Sequence, residues 1–79
     1  MSALSRPRYA IPDDIRDALD QRGLMEAYHM RPDYQQNDYV GWITRAARED
    51  TRAKRLAQML AELEAGDAYM GMPYAAKRP

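Results

Sequence analysis

The chain has 79 residues, room for one small domain, and such a domain buries only about 60% of the surface its unfolded chain exposes. It has no cysteine and a single histidine, His29, which excludes disulfide staples, thiolate metal sites and His-rich zinc sites. Twelve basic residues balance twelve acidic ones, whereas a dedicated nucleic-acid binder normally carries a basic excess to neutralise phosphates.

Residues 1–10 show no periodicity and read as a flexible leader without the apolar stretch of a signal peptide. No apolar run approaches the roughly 18 residues of a membrane span, so no membrane insertion is expected and a cytoplasmic location is the default. The first predicted helix lies in "IPDDIRDALDQRG". Pro12 has its φ preset for an early helical position, and Asp13 or Asp14 can accept orphan N–H groups there. Ile15, Ala18 and Leu19 share one face, and Gly23 supplies the stop.

"LMEAYHM" places Leu24, Ala27 and Tyr28 at i, i+3, i+4 and predicts a short second helix ended by Arg31-Pro32. A third follows over "PDYQQNDYVGWITRAAR". Its stripe is Tyr39, Trp42, Ile43 and Ala46, widened by Val40 and Ala47, with Gly41 inside it. The last and clearest helix is "EDTRAKRLAQMLAELEAG". Asp50 or Thr51 caps it, Ala53, Leu56, Ala57, Leu60 and Leu63 form its apolar face, and Gly66 ends it.

Nothing alternates at period two, so no strand is expected. Residues 67–79 carry Tyr69, Met70, Met72 and Tyr74 without a helical period and read as a mostly flexible tail. Its first residues are able to fold over the core. The expectation is an all-α single domain of three to four short helices over residues 11–66, between flexible N- and C-terminal tails. Its predicted core comprises Ile15, Leu19, Tyr28, Tyr39, Trp42, Ile43, Leu56, Leu60 and Leu63.

The sharpest functional candidate is a cluster of arginines. Residues 45–55 hold five cations, Arg45, Arg48, Arg52, Lys54 and Arg55, against Glu49 and Asp50. Arg45, Arg48, Thr51, Arg52 and Arg55 are therefore the candidate contacts for a partner or an anion, with the start of the last helix offering N–H groups. The structural alternative is pairing with the acidic first helix, whose residues 13–20 hold four aspartates and one arginine. Those aspartates have no His or Lys placed nearby by spacing, and no P-loop, G-x-S-x-G, G-x-G-x-x-G or EF-hand pattern occurs. Neither an enzyme nor a cofactor is expected.

Two blocks of this chain resemble the helical domain of the YdeI/OmpD-associated, or bacteriocin-protection, family. Pro12, Asp14, Ile15, Ala18 and Leu19 match its P-x-D-[LI]-x-x-A-L pattern. Tyr39, Val40, Trp42, Ile43, Ala46, Thr51, Arg52, Arg55 and Leu56 match the Y-x-x-W and T-R-x-x-R block, and Leu63 and Gly66 match the end. Ala47 stands where a lysine is usual, Glu49 where a proline is frequent, and "DYQQND" where members often carry serine and basic residues. Larger relatives join this domain to a separate N-terminal one, and this chain reads as a stand-alone version. The resemblance implies an association with bacterial stress or envelope protection and brings no catalytic residues. The expected activity is contact with a protein partner; a nucleic-acid or phosphate-binding module using the same arginines is the alternative.

Overall fold

The computed structural model describes residues 10–73, so the leader lies outside it except for Ala10, as do residues 74–79 of the tail. Four helices carry the fold: α1 (Asp13–Gln21), α2 (Met25–Met30), α3 (Asp33–Thr44) and α4 (Glu49–Ala65). A two-stranded hairpin, β1 (Ala68–Tyr69) and β2 (Met72–Pro73), follows.

Two of the helices start alike. Pro12 and Pro32 each stand immediately before a helix in an extended conformation (ψ 153° for both), and an aspartate follows as the first helical residue. The proline thus occupies the cap rather than the first helical position. Its carbonyl takes the first helical bonds, from Arg16 at 2.9 Å in α1 and from Gln35 and Gln36 in α3. Neither N-cap residue makes a side-chain cap, and Asp13 and Asp14 act on the positive end of α1 by charge rather than through the expected cap bond.

The α1–α2 corner is a Schellman turn. Gly23 sits at φ +68°, its N–H donates to Asp20, and the Leu24 N–H donates back to Leu19 at 2.8 Å. Leu19 and Leu24 are both buried, the apolar contact that accompanies this motif. Pro32 then forces Arg31 out of the helical region (ψ 151°) and ends α2 after six residues.

α3 stops earlier than its apolar stripe predicts. The helix ends at Thr44, whose hydroxyl donates back to the Val40 carbonyl at 2.8 Å, and residues 45–48 form the corner into α4. Ala46 and Ala47 therefore lie beyond the helix. α4 also has no side-chain cap: Asp50 Oδ1 takes the adjacent Thr51 N–H at 2.8 Å. Its buried face is rotated from the expected one. Ala53 and Ala57 are exposed, while Met59, Leu60, Glu62 and Leu63 are buried and Leu56 is half-buried. Both stripes obey i, i+3, i+4 spacing; the larger side chains at 59, 60 and 63 remove more surface from water and win.

The core gathers Ile15 and Leu19 from α1, Leu24, Tyr28 from α2, Tyr39, Val40 and Ile43 from α3, and Met59, Leu60 and Leu63 from α4. Trp42 and Leu56 are only partly buried at its edge. The expectation of no strand is corrected by residues 68–73. Ala68 pairs with Pro73 and Tyr69 with Met72, so Met70 and Gly71 form a two-residue turn. Both have positive φ, 53° and 79°, the requirement of a type I′ turn. Strands this short show no alternation to read. The hairpin packs on α4, with Tyr69 and Met70 against the core.

Candidate functional site

The arginine cluster surrounds the α3–α4 corner, and its members divide into two groups. Arg52 reaches back to α1, where Nε and Nη2 meet both carboxylate oxygens of Asp14 at 3.1–3.2 Å. Arg55 donates to the Trp42 carbonyl at 2.6 Å, one of the last carbonyls of α3 and unpaired within that helix. The same guanidinium lies 5.2 Å from the Trp42 ring centroid, within cation–π range. Thr51, immediately before Arg52, is half-buried. These contacts tie α1, α3 and α4 together.

The others face outward. Among the described residues Arg48 pairs only with Asp50, two residues on, at 3.2 Å, and its side chain is 77% exposed. Arg45 and Lys54 are exposed and make no side-chain ion pair among the described residues. Arg45 also lines an open groove of about 440 Å³, together with Ala10, Pro12, Val40, Gly41 and Thr44. The first turn of α4 holds Glu49 and Asp50, so negative charge already occupies the helix start where an anion would sit.

A second polar constellation lies further along α4, and sequence reasoning missed it. Glu62 is 7% exposed, yet its carboxylate has four donors. Oε1 accepts from the Tyr39 hydroxyl at 2.5 Å and from the Met70 N–H at 2.7 Å. Oε2 accepts from the Gly71 N–H at 2.8 Å and from Gln58 Nε2 at 3.0 Å. Burial alone would push this carboxyl up; the Tyr39 hydroxyl, the two turn amides and Gln58 outweigh it and hold it below the usual carboxylate range. Tyr39 moves the other way, raised by burial and by its bond to Glu62.

Arg31 closes the network from the α2–α3 junction. One Nη2 donates to the carbonyls of Glu62 at 3.1 Å and Ala68 at 2.9 Å, and Nη1 donates to Gln35 at 3.0 Å. Gln36 in turn donates to the Arg31 carbonyl at 2.8 Å. Tyr69 reaches from β1 to Asp38 on α3 and stands edge-on to Tyr39 with centroids 5.4 Å apart. Among the described residues no buried side-chain nitrogen or oxygen lacks a partner. One signal for this site was present in the sequence: Glu62 shares a face with Met59 and Leu63, at the spacing that put both in the core.

Among the described residues no cluster of His, Asp or Glu is placed to hold a metal ion, and no helix is long and apolar enough to cross a membrane. His29 is exposed and touches the Tyr28 ring edge-on.

The geometry also accounts for the two sequence blocks: Asp14 of the first meets Arg52 of the second, and Arg55 locks onto Trp42 of its own block. The sequence profile of the bacteriocin-protection, YdeI or OmpD-associated family matches residues 8–66, most of the chain. The chain belongs to this family. No curated protein and no solved structure gives a significant match. The matched region covers the four helices of this YdeI/OmpD-associated domain and ends at Gly66, before the hairpin.

Proposed function

We propose that this YdeI/OmpD-associated protein is a non-enzymatic cytoplasmic contact module that docks onto an acidic surface of a partner protein, in the bacterial stress or envelope protection its family description suggests. The observation that carries the reading is the division of the arginine cluster. Arg52 and Arg55 are spent on Asp14 and Trp42, which leaves Arg45, Arg48 and Lys54 as an outward basic corner on a chain of zero net charge. A surface of this kind gives orientation and on-rate more than raw affinity.

The alternative, a nucleic-acid or phosphate site at the start of α4, is less well supported. Glu49 and Asp50 stand in its first turn, and Asp50 already takes the Thr51 N–H. Beside Arg45 the groove is lined by apolar residues and Thr44, whose hydroxyl is engaged with the Val40 carbonyl, which supports a contact role over a chemical one.

The test compares proteins captured from a native bacterial lysate by the wild type and by a triple variant, Arg45→Glu, Arg48→Glu and Lys54→Glu. The expected result is loss of a specific acidic protein from the variant, with the helical CD spectrum unchanged. Equal capture by both contradicts the choice of face. Amide shifts in residues 45–55 on adding inorganic phosphate or duplex DNA, weakening steeply with salt, would favour the alternative.

A further inference from the structure

Glu62, Tyr39 and Arg31 form a socket, and its occupant is the turn of the hairpin. The hydrogen bonds recognise backbone, while the Tyr39 ring meets the Tyr69 ring. Two successive N–H groups, from Met70 and Gly71, point at the two oxygens of one carboxylate, and the Ala68 carbonyl two residues upstream meets the Arg31 guanidinium. Successive amides at positive φ make a concave anion-binding arrangement, and here the anion is a side chain of the domain itself.

The occupant is only partly enclosed otherwise. Residues 71–73 are exposed and residues 68–70 only half-buried, and a two-stranded hairpin is at best marginal by itself. Outside the turn, among the described residues, it is held by the Tyr69 hydroxyl bond to Asp38 on an exposed rim, by the Tyr69 ring edge-on to Tyr34 and Tyr39, and by Tyr69 and Met70 packed on the core's edge. The hairpin also stands apart in sequence. Arg31, Tyr39 and Glu62 lie within the family match, and residues 68–73 lie beyond its end.

We propose that this socket is a binding site for a peptide β-turn, filled in cis by residues 68–73 and available in trans to a partner turn presenting the same two N–H groups and upstream carbonyl. The hairpin then acts as a tethered competitor, at an effective concentration on the order of millimolar. Glu62 is eight residues along α4 from Lys54, the member of the basic corner nearest to it in sequence, roughly 12 Å at the helical rise, so this site is separate from the basic corner and does not rest on its reading.

Gly71→Pro tests the proposal in the full-length chain. It removes one of the two amides and demands a φ near −65° where the turn holds +79°. The probe is a head-to-tail cyclic peptide carrying the sequence of residues 68–73, followed by amide NMR. The expected result is an intact helical spectrum for Gly71→Pro, with peptide-induced shifts at Arg31, Tyr39 and Glu62. Binding to the wild type should be at least about 10-fold weaker, because the tethered turn competes. Absence of shifts, equal binding to both chains, or collapse of the helices in Gly71→Pro would each overturn it, the last because an occupant must be removable. Native-state hydrogen exchange on the wild type gives an independent reading. The Met70 and Gly71 amides should exchange through a local opening faster than those of Leu60 and Leu63, and exchange at the core rate would also overturn the proposal.

Discussion

The two ends of α4 use charge in opposite ways. At its start, five cations and two acids meet on a wet surface, where an ion pair such as Arg52–Asp14 contributes about 0.2–1 kcal/mol and is screened by salt. Near its other end a single carboxylate is almost wholly buried, with four donors and no lone pair wasted. The outward part of the dense charge, Arg45, Arg48 and Lys54, is thus available for contact, and the isolated charge organises structure. Counting charges along the sequence points to the wrong end for stability.

The comparison breaks most visibly at Glu62. Glu62→Ala leaves the Tyr39 hydroxyl and the Met70 and Gly71 amides without their acceptor, and should cost about 3 kcal/mol in urea unfolding followed by CD. The loss should persist at about 0.5–1 M salt, as expected for groups shielded from solvent ions. A loss under about 1 kcal/mol would mean that the hairpin carries no weight in the fold. Met59→Ala, at a fully buried position of the same face, should cost roughly 2–4 kcal/mol by emptying a cavity, which sets the apolar scale against which Glu62 is judged.

Acid should act on the same point. The folded carboxyl of Glu62 titrates below its ordinary value of 4.5, so its stabilisation is complete above that value. The contribution is lost as pH falls through the lower, folded value. Stability measured between neutral pH and acid should therefore fall for the wild type, and less steeply for Glu62→Gln. Parallel curves for the two proteins would remove Glu62 as the cause.

Smaller effects come from the surface and the turn. Arg52→Gln should cost about 0.5 kcal/mol at low salt and almost nothing at 1 M salt, the reverse of the behaviour at Glu62. Met70→Asn replaces a side chain ill suited to φ 53° by the residue that type I′ turns favour. The turn gain is offset by the packing that half-buried Met70 makes on the core, so the net change in thermal unfolding should stay within about 0.5 kcal/mol.

The helical part of the fold was legible because local rules act there without competition. Gly23 stops α1 through backbone geometry alone, and Pro32 ends α2 by displacing Arg31. Position within a face was harder to read, since Ala53 and Ala57 satisfy the same spacing as Met59 and Leu63 and only packing decides between them. The arginine cluster was found as a cluster, but its division was hidden. Arg52 and Arg55 look like Arg48 until α1 and the end of α3 are brought beside them. The Glu62 socket was least legible, because its partners are backbone amides 8 and 9 residues on, in strands too short to leave a pattern.

A pH titration of the Glu62 side-chain carboxyl by carbon NMR in the intact protein tests this division of charge most directly. A midpoint below 4.5, with the Met70 and Gly71 amide signals shifting through the same transition, is the result expected of a buried carboxylate that holds the hairpin. A midpoint at or above 4.5, with those two amides unmoved, would contradict it.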